Sequence, residues 1–526
     1  MSLIQPEFDP RFRPAHDAGD GEAPLNDRGV TPEAILRGFS VGLLVVLSGL
    51  ALGGFTFHEM ATRGTAYFVV AACLGIVLTA FAYQKFQMAL VFSIALMFMR
   101  IGGTPGIAEG GSGEGKGIYP VQIEAAFLLF IWALRGIGMR NFHITRTPMN
   151  GFLVAYLLYS VWSAINGWMF WDPMVTHYWG GLPGGKTAPQ VIVLEIVLSI
   201  LSIGMFWVMA SNLTDPKWLR RASFLLLLPG LMSFLAHVRL MPEISNVYDV
   251  LTQIVLTCTI FAWLLENPGA RPGLRLLAVL FLMGLVFQTF FLNIRWISGW
   301  IGMFAGLLCV AWLKSKKLCV AMVCTGVALV LLAQPFLKAS VLHKVQTSGD
   351  LDRFSMMRAS LMYALKFPLG IGPGNYRAYN AYYGGRSMWN TSEYTSAHDF
   401  YAQVLSERGF IGLILALSWV IMGGIMLARF YKRTPPGFSR TVTLGIAGMW
   451  AGMCASSVIG DYLIPVYHNG GLANMGTTIY AWIGLGIAVA HARQSGLLAR
   501  EPVTPSIAAP QPPAVPLAPW PRRSAS

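Results

Sequence analysis

Charge is scarce in this chain, and negative charge scarcest. Asp and Glu number 24 against 38 Lys and Arg, and charged residues make up 12% of 526 positions. An ordinary soluble domain carries about 25%, so a soluble globular protein of this length is excluded. A hydrophobic share of 55% and a mean hydropathy of +0.56 make lipid the solvent. Cysteine is rarer still. The 6 cysteines (Cys73, Cys258, Cys309, Cys319, Cys324 and Cys454) all sit in apolar stretches without ligand spacing. That excludes a disulfide framework and leaves small hydrophobes. A cleavable leader is not expected either: residues 1–35 are polar with several Pro and Asp, unlike a signal peptide, so the first span should stay in the membrane.

What is present is a succession of apolar stretches. A hydrocarbon core of roughly 30 Å takes about 20 residues of helix. Stretches of that kind occur at 36–56, 65–83, 86–101, 118–138, 149–170, 188–210, 222–241, 246–265, 273–293, 295–313, 317–336, 409–430, 441–460 and 472–491. The predicted fold is an all-α polytopic membrane protein of about 12–14 transmembrane helices, the 86–101 stretch being the shortest candidate. The net charge of +14 would suit nucleic acid, but its distribution argues against that partner. With the N-terminus in the cytoplasm, every cytoplasmic turn is basic, from Lys85 through Lys217, Arg220 and Arg221 to Lys432 and Arg433. The opposite loops, 102–117 and 171–187, carry one lysine each, and 461–471 carries none. This is the positive-inside asymmetry.

The segments follow from the spans: a cytoplasmic tail over 1–35, a transmembrane region over 36–336, a large loop over 337–408, C-terminal spans over 409–492 and a Pro-rich tail over 493–526. The tail is rich in Pro and Ala and cannot pack a core. The large loop falls on the outer side, the periplasm of a Gram-negative cell, with Arg295 at the same face.

The chemistry concentrates in that loop. RFSMMRASLMYALKF (353–367) has apolar residues at roughly helical spacing and is predicted to lie against the membrane face. Arg353 and Arg358 on it suit either lipid headgroups or a phosphate clamp, because guanidinium forks match phosphate oxygens. Gly370, Gly372 and Gly374, followed by Asn375 and Tyr376, form either a plain turn or a close backbone approach to a ligand. The aromatics Tyr376, Tyr379, Tyr382, Tyr383, Trp389 and Tyr394 are belt residues or sugar platforms. His398, just before a span, is suited to take a proton near neutral pH. No second His, Cys or carboxylate stands at metal-ligand spacing from it, so no metal is expected. Asp399 follows it directly, but neighbouring positions on a helix point about 100° apart, so Asp399 need not orient the imidazole. Glu407 is expected to support the loop through a nearby arginine. Arg295 at the hydrocarbon edge is either a snorkelling or a functional group.

Arg353, Pro368, Gly370, Gly372, Gly374, Asn375 and Tyr376, then His398, then Glu407, Gly409, Gly412 and Leu413 together resemble the O-antigen ligase and polymerase superfamily. Arg295 resembles the arginine its members carry ahead of the large loop. Two departures stand out: Asp399 where many members have Asn, and Ile294 where a Ser usually precedes the arginine.

The resemblance implies a glycosyltransferase of the membrane-embedded C type in the bacterial inner membrane. It implies a donor glycan on undecaprenyl pyrophosphate, a glycan or lipid A core acceptor, no metal and no cofactor. The product would be O-antigen (lipopolysaccharide) or exopolysaccharide. It implies Arg295, Arg353 and His398 as catalytic residues, with Arg358, Gly370, Gly372, Gly374, Asn375, Tyr376 and Glu407 binding substrate. Two competing classes are a small-solute transporter, such as one for inorganic carbon, and a non-catalytic polysaccharide-export subunit. Glu124 and Glu195 are the acids within spans that a transporter would use.

Overall fold

A computed structural model describes residues 77–97, 120–138, 142–170, 172–175, 188–240, 250–292, 297–332, 350–383, 396–467 and 475–498. Among these residues every regular element is helical. The α-helices are α1 (Phe86–Leu96), α2 (Pro120–Gly138), α3 (Asn150–Met169), α4 (Ala188–Asn212), α5 (Pro216–His237), α6 (Val250–Glu266) and α7 (Pro272–Phe287). They continue as α8 (Ile297–Lys314), α9 (Lys316–Leu332), α10 (Asp350–Lys366), α11 (Tyr376–Tyr383), α12 (Phe400–Arg433), α13 (Phe438–Ser456) and α14 (Met475–Gln494). Among the described residues 8 helices are long and apolar enough to cross a membrane. The chain is an all-α, multi-pass membrane protein.

The outward faces are oily. On α3, Val154, Leu158, Val161, Trp162 and Ile165 are exposed at helical spacing, and on α7 Leu276, Leu277, Leu280, Met283 and Phe287 are. Lipid covers such faces, so helix association has to come from close packing of small residues. Gly302 and Gly306 of α8 face Gly452 and Gly448 of α13: a Cβ at Gly306 would lie 2.9 Å from the Gly448 carbonyl oxygen. Larger residues fill the centre. Trp419, Trp450 and Trp482, from α12, α13 and α14, are fully buried with ring centroids 5.2–6.0 Å apart.

One expected span is interrupted by a bend. The stretch 86–101 yields only α1, 11 residues long, which bends by 118° from Val77–Gln84. Lys85 and the polar Gln84 and Gln87 interrupt the apolar run there, and Gln87 bonds Thr214 and the Asp215 amide instead. Of the stretch 317–336, residues 317–332 lie on α9, and 333–336 lie outside the described residues. The expected spans at 36–56 and over 65–76, the 102–117 loop, the N-terminal tail and residues 499–526 of the Pro-rich tail lie outside the described residues.

The two ends of the bundle differ in chemistry. At one end Glu266 accepts from Lys314 Nζ (2.9 Å) and Tyr431 OH (2.8 Å) and pairs with Arg440 at 3.3 Å. Arg493 closes the same end by donating to the Ser211 and Leu213 carbonyls. The other end gathers the loop after α3, the α10–α11 region, the start of α12 and residues 457–467.

Candidate active site

Helix α10 ends where the backbone turns through Pro368 and three glycines, at φ 95° for Gly370, 92° for Gly372 and 77° for Gly374. L side chains rarely adopt such values. The turn is a docking surface for the start of α12. Ile371 N–H donates to the Ser406 carbonyl (3.0 Å) and Gly372 N–H to the Glu407 carbonyl (2.8 Å). Gly374 N–H donates to the Glu407 carboxylate at 2.9 Å and Tyr376 N–H reaches the same oxygen at 3.4 Å. In return Phe410 N–H donates to the Pro368 carbonyl.

This exchange requires α12 to break. Gly409 has φ 64° and ψ −168°, a region open essentially to glycine alone, and a Cβ there would strike the Pro368 carbonyl oxygen. Phe400–Arg408 is therefore a short helix set apart from the apolar run that follows. Glu407 and Arg408 are both buried at the break, with Arg408 Nη1 3.5 Å from Glu407 Oε2 and Arg408 Nε donating to Ser160 Oγ at 3.0 Å. Arg408 also lies over the Tyr156 ring. A buried ion pair survives in lipid only when its remaining donors and acceptors are satisfied, and here Ser160, Gln403 and the glycine turn do that.

His398 stands just ahead of this helix, half-buried, with φ 48°. A non-glycine residue held in the left-handed region stores about 1–3 kcal/mol and clusters at functional sites. Its N–H donates to Ser396 Oγ at 3.1 Å, and Ser396 donates to the buried Asp461 at 3.0 Å. Ala397 N–H donates to Gln403 Oε1 at 2.7 Å, and Gln403 Nε2 donates to Glu407 Oε1 at 2.6 Å. Asp399 caps α12 by accepting from Tyr401 N–H (2.8 Å) and Ala402 N–H (3.2 Å). Burial pushes its carboxyl up to about 7. Asp399 is thus engaged by the helix terminus.

The first turn of α8 joins this end: Ser298 Oγ is 2.8 Å from Tyr462 OH, next to Asp461, and Ser456 donates to the Ser298 carbonyl. Glu195 belongs here too, accepting from Tyr467 N–H at 2.6 Å. Among the described residues no three His, Cys, Asp or Glu side chains gather as a metal site.

Residues 277–417 match a family model described as O-Antigen ligase. Over these 141 of 526 residues the chain is similar to that family. No curated protein matches the chain. The matched segment runs from α7 into α12 and contains Arg295, Arg353, Arg358, the glycine turn, His398 and Glu407, whereas Glu124 and Glu195 lie outside it. The match supports a function of the O-antigen ligase and polymerase kind in general.

Within the matched segment the expected residues are placed as follows. Arg295 lies outside the described residues, as do Trp389 and Tyr394. Arg353 is on α10, its side chain outside the described residues. Arg358 is exposed on α10, on the stripe that carries exposed Leu361, Met362 and Leu365. The Gly372 and Gly374 N–H groups are engaged by Glu407 and do not form an open nest for an anion. Gly370 supplies the close contact: its added Cβ would strike the Glu407 carbonyl oxygen. Asn375 is buried, with Nδ2 donating to the Ile371 carbonyl at 2.6 Å. Tyr376 is 0% exposed and packs edge-on against Tyr363, its hydroxyl on the Met356 carbonyl. Tyr379 is equally buried and its hydroxyl accepts from Asp172 N–H. These two rings build a core and present no face to a sugar. Tyr383 donates to the Asp172 carboxylate and accepts from Lys366, and that bond from Tyr383 holds Asp172 below its usual range.

Three residues escaped the sequence reading: Gln403, Arg408 and Asp461. The Gln403 and Glu407 spacing of i, i+4 was a visible signal, as was a charged pair directly ahead of an apolar run.

Proposed function

We propose that this protein transfers a glycan from undecaprenyl pyrophosphate to an acceptor hydroxyl at the periplasmic face of the bacterial inner membrane, without a metal or cofactor. The observation that carries this reading is convergence. The helix bearing Arg353, the strained His398 loop and the first turn of α8, just after Arg295, lie at one end of the bundle. The Lys- and Arg-rich turns lie at the other. The large loop over 337–408 is the periplasmic element in this reading.

The acceptor oxygen attacks the anomeric carbon while the bond to the pyrophosphate oxygen breaks, and the pyrophosphate leaves with the electron pair. Arg295 and Arg353 stabilise the charge developing on that leaving group, with Arg358 at the headgroup level. His398 takes the acceptor proton as general base. Direct displacement inverts the anomeric centre. The glycine turn and Glu407 serve this chemistry by holding the His398 and α10 segments together.

The test is alanine at Arg295, Arg353 and His398 in turn. Each variant inserts and accumulates, and long surface glycan is lost. In a deletion strain, lipid-linked single repeat units indicate a polymerase and long lipid-linked chains a ligase. Normal surface glycan in the His398→Ala strain would overturn the assignment of the base.

A further inference from the structure

Gln403 is 1% exposed and uses both ends of its amide on groups far apart in role. Its oxygen accepts the Ala397 N–H at 2.7 Å, one residue before His398. Its nitrogen donates to Glu407 Oε1 at 2.6 Å, the same oxygen that takes the Gly374 N–H at 2.9 Å. One side chain therefore links the histidine loop to the glycine turn through the buried carboxylate. The loop needs such a link. His398 sits at φ 48°, a conformation that persists only where its surroundings over-determine it. On one side Ser396 Oγ and Asp461 hold the His398 amide. On the other side Asp399 is committed to the α12 terminus. The Ala397 amide is fixed by Gln403: a buried apolar side chain there would orphan the Ala397 N–H and one Glu407 bond.

We infer that Gln403 is a positioning residue that sets the backbone of the His398 loop, and hence the direction of the imidazole, relative to the glycine turn. The inference rests on the reading of His398 as the base. Gln403 touches neither donor nor acceptor, so its loss moves turnover and leaves donor affinity alone.

The experiment uses full-length protein in detergent or nanodiscs, with lipid-pyrophosphate-linked glycan extracted from a deletion strain as the varied substrate. Gln403→Met keeps the length and removes both hydrogen bonds. Gln403→Glu keeps the acceptor and, as a neutral buried acid, the donor. For Gln403→Met the expected result is kcat lower by ~10²-fold, within the range for misdirected proton transfer, with KM unchanged. Gln403→Glu recovers at least a third of wild-type turnover. Should Gln403→Met fail to accumulate, Gln403→Asn, one methylene too short to reach both groups, carries the same expectation. Wild-type kcat in Gln403→Met alongside an inactive His398→Ala overturns the inference alone. So does a joint fall of kcat, affinity and melting temperature that Gln403→Glu does not rescue, which marks a structural part only. Wild-type turnover in His398→Ala instead overturns the reading beneath it.

Discussion

Gly374 N–H donates to Glu407 Oε1 at 2.9 Å, closing the glycine turn onto a carboxylate 33 residues later in the chain. The same carboxylate is paired with buried Arg408. Removing one member of such a pair strands the other charge and costs about 3–5 kcal/mol. Glu407→Ala should therefore lower the melting temperature and the steady-state amount in membranes. Glu407→Gln/Arg408→Met together should cost less than the sum of the single changes. A thermal melt of wild type, Glu407→Gln, Arg408→Met and the double variant in detergent checks this, and simple additivity would contradict the pairing.

Tyr376 separates a core role from a substrate role. Its ring is fully buried and its hydroxyl bonds the Met356 carbonyl at 3.2 Å. Tyr376→Phe should lose about 1 kcal/mol, the net worth of one hydrogen bond, and leave glycan output unchanged. Tyr376→Ala should lose about 3–5 kcal/mol. Glycan loss in a Tyr376→Phe protein of near-normal stability would place the hydroxyl on substrate.

Asp399 gives a pH signature. Its carboxyl is raised to about 7 by burial, with Asp461 adding in the same direction, against about 3.9 in an unfolded chain. A raised folded value makes this group's contribution fully present below pH ~4; it falls as pH rises and levels off above ~7. Asp399→Asn keeps an effective cap and removes the titration. The melting temperature of Asp399→Asn minus that of wild type should climb between pH 4 and 7 and then stay flat. A difference independent of pH would contradict the buried, titrating carboxyl.

Much of this was legible in the sequence, for physical reasons. Lipid demands long apolar helices, so most spans appear directly as hydropathy, and Pro368 marks the end of α10 as a breaker should. The order from Arg353 through His398 to Glu407 likewise pointed to the family whose model matches residues 277–417. What stayed hidden depends on contacts across sequence distance. Glycines that look like a ligand nest are the same glycines that let two backbones touch, and only the partner, Glu407, separates the two uses. Tyrosines near a span look like a belt or a sugar platform, and only burial shows Tyr376 and Tyr379 to be core. Gln403 carries no charge and no motif, and its role exists only because Ala397 and Glu407 fall on either side of it. The 118° bend before α1 was hidden because two apolar stretches in sequence do not state the angle between them.

An exposed position tests sidedness. Arg358 is exposed on α10 beside Leu361 and Met362. Arg358→Cys, in a background with the exposed Cys324 replaced by Ser, should react with a small membrane-impermeant maleimide in intact cells. Labelling only after the inner membrane is opened would put α10 in the cytoplasm and remove the periplasmic site.

The central claim is that the imidazole of His398 accepts the acceptor proton, and purified protein tests it most directly. Wild-type and His398→Ala proteins, matched in melting temperature, are given lipid-pyrophosphate-linked glycan and acceptor, and product is counted over time. The account predicts transfer by wild type and a loss of ~10²–10⁴-fold in His398→Ala, with donor binding retained. Equal rates from the two folded proteins would contradict it.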